Sequence, residues 1–223
     1  MNKKNIVAII PSRMGSSRLP GKPLIKINNL ELIEHVRRRA LLCKYFENVY
    51  VATCDREIAD LISKNNGNVI MTSKKHIDCN ERILEATKNI KSSLVVNVQG
   101  DEILVLPKNL DAICKYIIKD NQSSYWNAVS KLEDKSELRN DTVVKCYISK
   151  NKNILFCSRK EHIINDIKPD IPIMKLLGLQ AFRRNALKIY KKNKISFFEK
   201  NFSIGQMRII ENNHILKSIK INK

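Results

Sequence analysis

The first half of the chain alternates short apolar runs with amphipathic stretches, and this alternation restricts the possible folds more than any other feature. The apolar runs have the length and composition of strands buried on both faces; they occupy residues 5–11, 48–53, 68–72 and 93–100. Apolar residues at three- and four-residue spacing predict helices over residues 30–44, 56–66, 80–90 and 107–119. We therefore expect an α/β, Rossmann-like fold, in which a mostly parallel central sheet is flanked by helices.

Three residues predict where these helices begin or end. Asp55 is an N-cap candidate for the second helix, Gly67 follows its last turn, and Pro107 suits the first turn of the fourth helix. Open sheets of this class bind ligands beyond the carboxyl ends of their strands. The loops expected to carry function are therefore residues 12–23, 53–56, 72–79 and 99–106.

The second half has a less regular pattern. Strand-like segments lie at residues 126–132, 142–149, 154–158, 174–183 and 214–221, and helical stretches lie at 184–192 and 203–211. We expect a mixed extension of the same sheet. Because no Gly/Ser/Pro-rich linker separates the halves, we predict one domain over residues 1–223.

A net charge of +19 is the most unusual global property. It is compatible with a nucleic acid, an anionic membrane surface or a polyphosphate substrate as partner. The lysines are dispersed and no nucleic-acid module is recognisable, so we predict no nucleic-acid partner and attribute most of the charge to a solvated surface. No run of about 18 uncharged apolar residues occurs, which predicts no membrane span.

The amino terminus and the cysteines favour a cytoplasmic protein. The first apolar run, IVAIIP, is shorter than the roughly 7–15 residues of a signal peptide and is better explained as a first strand. The six cysteines are spread along the chain without zinc-ligand spacing, and we expect reduced, mostly buried thiols.

A basic loop follows the first strand: PSRMGSSRLPGKPL, residues 11–24. Backbone N–H groups from Gly15 to Ser17 can form an anion nest, and Arg13, Arg18 and Lys22 can neutralise a triphosphate. The loop matches neither GxxxxGK[ST] nor GxGxxG. Composition alone leaves two interpretations open, a phosphate-binding loop and an exposed basic turn.

An acidic motif, VNVQGDE, ends the fourth strand of the first half at residues 96–102. Asp101 and Glu102 would project at the carboxyl edge of the sheet. A hard oxygen ligand at this position suits Mg²⁺, which takes one or two carboxylates and completes its shell with phosphate and water. The alternative is a solvated acidic turn.

The basic loop and the acidic motif together resemble signatures of the cytidylyltransferases that make CMP-activated sugar acids, the 3-deoxy-manno-octulosonate cytidylyltransferases in particular. The resemblance continues in KPLIKINNLELIEHVRRRA, in VATCDREIADLISKNNGNVIMTSKKH and, more loosely, in VVKCYISKNKNILFCSR and LLGLQAFRR. It implies a fold of the nucleotide-diphospho-sugar transferase type. Its nucleotide-binding part would span about 1–120, and its sugar-binding and oligomer-contact part about 121–223.

The resemblance also implies roles for individual residues. Arg13, Lys22 and Asp101 are the catalytic candidates, with Asp101 as the Mg²⁺ ligand. The implied nucleotide site comprises Arg13, Gly15, Ser16, Ser17, Lys22 and Gln99. The implied sugar site comprises Asn80, Glu81, Arg82, Gln99, Gln180 and Gln206.

The resemblance further implies a reaction and its setting. The anomeric hydroxyl of the sugar acid would attack the α-phosphate of CTP and release pyrophosphate, with Mg²⁺ as cofactor. No nucleophilic Ser or Cys is required, and His35, His76, His162 and His214 are scattered, so no histidine is predicted as a base. Cell-surface polysaccharide synthesis (lipopolysaccharide or capsule) and a homodimer follow from the family alone.

This chain departs from the family pattern mainly where the sugar acid would bind. Leu176 and Gln180 replace a His and a Tyr, Gly205-Gln206 replaces Glu-Gln, and Asp78-Cys79-Asn80 replaces Ser-Gly-Thr. We therefore expect a relative of the usual octulosonate, either amino-substituted or a nine-carbon acid.

Family members also continue beyond the last strand to a second metal-binding Asp. Here we expect either that Glu102 or Asp78 holds the metal together with Asp101 or that activity is weak or lost. Two alternatives to the active enzyme remain. One is a catalytically silent CTP-binding relative, and the other is a nucleic-acid-binding protein, for which the only evidence is the net charge.

Overall fold

The computed structural model describes residues 5–15, 19–76, 78–134, 136–160 and 173–222. Its strands are β1 Ile6–Ser12, β2 Lys26–Ile27, β3 Leu30–Glu31, β4 Asn48–Thr53, β5 Asn68–Met71, β6 Leu94–Val98, β7 Tyr125–Ser130, β8 Lys145–Ile148, β9 Ile154–Ser158, β10 Ile173–Arg183 and β11 Leu216–Lys220. Its α-helices are α1 Leu32–Leu41, α2 Arg56–Lys64, α3 Cys79–Ala86, α4 Pro107–Lys119, α5 Ser136–Arg139, α6 Arg184–Lys192, α7 Phe197–Phe202 and α8 Gln206–Glu211. Two 3₁₀ helices span Lys22–Leu24 and Thr87–Asn89.

A central sheet runs in the order β5-β4-β1-β6-β10-β7-β11. β5, β4, β1 and β6 are parallel neighbours, and β10 is antiparallel to both β6 and β7. β8 pairs with β10 and β9, which extends the sheet on its antiparallel side. The predicted fold class, a mostly parallel sheet with a mixed extension in the second half, is confirmed.

Helices cover both faces of this sheet because successive strand residues point to opposite sides. Ile6, Ala8 and Ile10 of β1 pack into one buried cluster with α1, α2 and α4. Val7 and Ile9 pack into the opposite cluster with α3, α6 and α8. Burial on both faces explains why β1 is an uninterrupted apolar run rather than an alternating one.

The predicted helix over residues 30–44 begins later than expected. Leu30 and Glu31 form β3, which pairs with β2 through a turn in which Asn28 and Asn29 both have positive φ. Two consecutive left-handed residues are typical of the tight hairpin turn that matches strand twist, and Asn tolerates this conformation. The helix therefore starts at Leu32.

Two further helix ends differ from expectation. After α2 the left-handed residue is Asn66, not Gly67, and a Cβ on Gly67 would lie 2.5 Å from Ile62 Cγ2. Gly67 is therefore explained by close packing. The predicted helix over residues 203–211 is α8, which begins only at Gln206 because Ser203 takes a left-handed conformation, and α7 before it was not predicted.

The six cysteines are all free, and four of them are buried, as predicted. Within the described parts of the chain, no helix is long and apolar enough to cross a membrane.

Candidate active site

A cleft of about 560 Å³ lies where the carboxyl ends of β1 and β6 meet the residues before α3. It is lined by Pro11, Ser12, Arg13, Gly15, Leu19, Lys22, Pro23, His76, Asp78, Cys79, Arg82, Gln99, Gly100 and Asp101. Charged side chains from three strand-end loops thus face one space, at the edge where open α/β sheets bind their ligands.

The basic loop and the acidic motif meet at one end of this cleft. Lys22 Nζ lies 2.7 Å from Asp101 Oδ2, and both side chains are partly exposed. Lys22 follows β1 and Asp101 follows β6, so the parallel pairing of these two strands places the residues side by side. Arg13 and Gly15 line the same cleft. Ser16 and Ser17, with Arg18, lie outside the described residues.

Asp55 holds the basic loop in place. It occupies the N-cap position of α2, but its side chain makes no hydrogen bond to that helix. Its Oδ2 instead accepts a hydrogen bond from the backbone N of Met14, at 2.8 Å. Asp55 is thus the N-cap residue of α2, as predicted, but its carboxylate binds the neighbouring loop and not the helix.

Asp78, which also lines the cleft, anchors the start of α3. Its Oδ1 accepts from Glu81 N at 2.8 Å, which caps the helix. Its Oδ2 accepts from Arg208 Nη2 at 2.9 Å and from Tyr190 Oη at 3.1 Å. Arg208 also donates two hydrogen bonds of 2.7 Å to Glu199.

These contacts shift two ionisation equilibria. Burial, together with the neighbouring Asp78 and Glu199 carboxylates, raises the pKa of Tyr190. Burial alone would lower the pKa of Arg208, but its hydrogen bonds to Glu199 and the carboxylates around it raise that pKa. Arg208 is thus a permanent buried cation that ties α8 to α7 and to the beginning of α3.

Arg82 is a buried cation that faces the cleft. Its side chain is on α3, the residue is only 3% exposed, and its Nη1 donates to Thr72 Oγ1. Among the described residues no carboxylate forms a salt bridge with it. An isolated buried charge is costly, so its position in the cleft wall indicates a site for an anionic group.

His76, which also lines the cleft, contacts two glutamates of α3. His76 Nε2 is hydrogen-bonded to Glu85 Oε2, and Nδ1 lies 3.7 Å from Glu81 Oε2. Glu81 Oε1 lies 3.8 Å from Arg208 Nη1. Glu81 therefore joins the histidine to the arginine network and is not itself part of the cleft lining.

The amide side chains predicted for the sugar site are each hydrogen-bonded to another side chain. Gln180 Oε1 accepts from Asn97 Nδ2 at 3.2 Å, and Gln99 Nε2 donates to Cys79 Sγ at 3.3 Å. Gln206 Nε2 donates to Asn127 Oδ1 at 2.9 Å. Of the predicted sugar-site residues Gln99 and Arg82 line the cleft, whereas Asn80, Glu81, Gln180 and Gln206 lie behind it.

Glu102 and Asp78, the two acids expected to assist Asp101, are hydrogen-bonded to other groups of the protein. Glu102 Oε1 accepts from Gly178 N at 3.0 Å, and burial raises the pKa of Glu102 although this hydrogen bond acts in the opposite direction. Asp78 is bound by Arg208 and Tyr190. No group of three or more His, Cys, Asp and Glu suited to a metal occurs in the described ranges.

Sequence reasoning did not assign His76, Tyr190 or Arg208 to the site, and it placed Cys79 there only as part of the segment that replaces Ser-Gly-Thr. The spacing of Asp78 and Glu81 is that of a helix cap and could have located the start of α3. No local sequence pattern predicts that Arg208 contacts Asp78, because the two residues are 130 positions apart.

The fold and the cleft define a nucleotidyltransferase. The structure superposes on CMP:2-keto-3-deoxy-manno-octonic acid synthetase complexed with CTP, with a TM-score of 0.91 and 27% identity, covering 97% of this chain and 90% of that one. A family model described as Cytidylyltransferase matches residues 7–220. The chain belongs to the cytidylyltransferase family.

Two relatives illustrate this membership. The chain is 32% identical over 218 residues to 8-amino-3,8-dideoxy-manno-octulosonate cytidylyltransferase of Shewanella piezotolerans, covering 96% of this chain and 89% of the relative. It is 31% identical over 225 residues to the mitochondrial 3-deoxy-manno-octulosonate cytidylyltransferase of Arabidopsis thaliana, covering 99% and 77%. The resemblance inferred from the sequence motifs is confirmed.

Proposed function

We propose that this protein uses CTP to activate an acidic sugar, 3-deoxy-manno-octulosonate or a close analogue, giving the CMP-sugar and pyrophosphate. One observation carries the proposal: the Lys22–Asp101 pair and the buried cation Arg82 face the same cleft. A triphosphate needs cations and a metal-binding carboxylate, whereas a sugar acid needs a cation of its own. The two relatives described above support the sugar class.

The nucleotide is assigned to the Lys22 end. Arg13 and Lys22 neutralise the triphosphate, and the backbone from Gly15 through Ser16 and Ser17 supplies N–H donors. Lys22 is paired with Asp101 in the structure. Lys22 must therefore exchange a carboxylate for phosphate oxygens when the nucleotide binds, which frees Asp101 Oδ2.

Mg²⁺ is the proposed cofactor, and Asp101 is its proposed protein ligand. A half-exposed carboxylate in the cleft suits an ion that takes one or two carboxylates and otherwise phosphate and water. When bound, the ion would withdraw charge from the phosphate that is attacked. We do not assign Asp78 to the metal because Arg208 and Tyr190 occupy it.

The acceptor is assigned to the end that contains Arg82 and Gln99. The Arg82 guanidinium binds the sugar carboxylate, and the Gln99 amide binds a hydroxyl. These contacts orient the anomeric hydroxyl toward the α-phosphorus. Its oxygen forms a bond to that phosphorus as the bond to the bridging oxygen breaks, so pyrophosphate leaves and the hydroxyl proton is released. Arg13 and Lys22 neutralise the departing charge.

The wider setting remains a proposal as well. The family supports a homodimer acting in the cytoplasm, in the synthesis of lipopolysaccharide or capsular polysaccharide. The amino-substituted acid of the Shewanella relative makes amino sugars an early choice for substrate tests.

Pyrophosphate release from CTP and Mg²⁺ over a panel of octulosonate, its 8-amino analogue and nine-carbon acids tests the proposal. We expect release with at least one acid and a loss of about 100-fold in Asp101→Asn, because the metal ligand is removed. Asp60→Asn is the matched control, since Asp60 pairs with Arg56 on the exposed side of α2. CTP binding without turnover across the panel would contradict the proposal and favour a silent relative.

A further inference from the structure

Cys79 lies among three amide side chains in the wall of the cleft. It is the first residue of α3. Its sulfur is 3.3 Å from Gln99 Nε2, 3.9 Å from Asn97 Nδ2 and 3.8 Å from Asn80 Oδ1. Two of these contacts bring N–H groups to the sulfur and the third offers an oxygen.

This arrangement matches the bonding capacity of a neutral thiol, which has one weak donor and a weak acceptor. The S–H donates to Asn80 Oδ1, and the sulfur accepts from Gln99 and Asn97. Burial raises the pKa of Cys79, which keeps the group protonated at neutral pH. The thiol is thus suited to hydrogen bonding, whereas attack on a substrate would require the thiolate.

The contact with sulfur decides which atom of Gln99 is available to a ligand. Because Nε2 donates to Cys79, the amide oxygen Oε1 is left for the cleft, and no hydrogen bond to Oε1 is made by the residues that the structure describes. Asn97 is held in turn by Gln180, since its Nδ2 donates to Gln180 Oε1 as well. The sulfur of Cys79 therefore connects the buried pair Asn97 and Gln180 to Gln99, which lines the cleft.

We propose that Cys79 is a positioning residue of the acceptor subsite, which fixes the Gln99 amide so that its carbonyl oxygen accepts a hydrogen bond from a hydroxyl of the sugar acid. This inference rests on the proposed function. It assigns a role to a side chain that takes no part in bond formation.

Steady-state kinetics of Cys79→Ala and Cys79→Ser test this role. Loss of the sulfur lets the Gln99 amide rotate, so Cys79→Ala should lower kcat/KM for the sugar acid by about tenfold, the effect of one misplaced hydrogen bond. The KM for CTP should stay within about twofold, since the hydrogen bonds that the structure describes for Cys79 do not involve Arg13 or Lys22, the side chains assigned to the triphosphate. Serine keeps a donor and an acceptor, so Cys79→Ser should recover most of the loss.

Cys43→Ala is the matched control, because Cys43 is a buried thiol beside Cys114, remote from the cleft. It should leave both kinetic parameters near wild type. An equal loss in Cys79→Ala and Cys79→Ser, an unchanged kcat/KM for the acid, or a parallel rise in the KM of both substrates would overturn the proposal.

A second measurement does not depend on turnover. The side-chain amide resonances of Gln99, assigned with Gln99→Glu, should shift in Cys79→Ala and return toward wild type in Cys79→Ser. If this pattern appears while no acid in the panel is activated, the positioning holds and the proposed function fails. If the resonances are the same in all three proteins, Cys79 does not position Gln99.

Discussion

Gly178 has no side chain, and this leaves room for the side chains of Glu102 and Gln99 next to its backbone. A Cβ at this position would lie 2.3 Å from Glu102 Oε1 and 3.0 Å from Gln99 Cγ. Glu102 enters this space and accepts a hydrogen bond from the Gly178 backbone. A larger side chain at position 178 would therefore displace both Glu102 and Gln99, one on each side of the turn that carries Asp101.

Arg82 combines a cost to stability with a role in binding. Replacing Arg82 by Gln should raise the KM for the sugar acid about 100-fold, because a buried charge pair with the carboxylate is lost. The ligand-free protein should become no less stable, since a buried cation without a carboxylate partner is removed. Initial rates and melting temperatures with and without the acid measure the two effects.

Arg56→Gln serves as the control for Arg82, because Arg56 is an exposed arginine paired with Asp60. It should change neither the KM nor the melting temperature appreciably. A fall in the melting temperature of Arg82→Gln with an unchanged KM would assign Arg82 a structural role instead.

At the scale of elements, Asp120 joins the end of α4 to β7. Its carboxylate accepts from the backbone N of Gln122 and of Ser123, both at 3.0 Å, and from Trp126 Nε1 at 2.9 Å. Burial opposes ionisation, but these hydrogen bonds outweigh it and lower the pKa of Asp120 to about 2. The charged form is therefore favoured in the folded protein.

The contribution of Asp120 to stability should depend on pH. A lowered pKa in the folded state means stabilisation that is present above the ordinary value near 3.8 and is lost as the pH falls toward about 2. Because Asp120 is only partly buried, solvent screening reduces the effect, and Asp120→Asn should lower the free energy of unfolding by about 1 kcal/mol at pH 7 and by less at pH 2.5. Urea unfolding at several pH values measures this, and a difference that does not vary with pH would contradict it.

Helices and strands were predictable where local chemistry determines their limits. β4 and α4 have the predicted bounds, because an apolar run and a proline in the first helical turn mark them. The late starts of α1 and α8 depend on left-handed residues, Asn28, Asn29 and Ser203, among polar residues that are equally compatible with a helix.

The candidate site was predictable to a similar degree. The basic and acidic motifs each follow one strand, so strand order alone brings Lys22 to Asp101. The wall around Asp78 depends on Arg208 and Tyr190, which reach it from the far end of the chain. Such contacts arise from tertiary packing and have no signature in sequence spacing.

At the scale of the whole molecule, the net charge of +19 should act on the rate of nucleotide capture. A positive field attracts an anionic nucleotide over about 10 Å at 0.1 M salt and over less at higher salt. We expect kcat/KM for CTP to fall several-fold between 0.05 and 0.5 M NaCl, while kcat at saturating CTP changes little. Equal values of kcat/KM across this range would show that the charge has no part in capture.

The strand β10 passes through the middle of the molecule and touches both cores. Its pairing with β7 shifts register between Leu176 and Gln180. Beyond this shift, Leu179 and Ala181 belong to one buried cluster, while Gln180 and Phe182 face the other side of the sheet, where Gln180 meets Asn97. Deleting a single codon just before Leu179 would turn the later side chains of β10 to the opposite faces of the sheet, placing the Gln180 amide in an apolar cluster and Ala181 where Gln180 now meets Asn97. Gene variants that change the length of β10 by one residue should therefore be far rarer than variants that only change its composition.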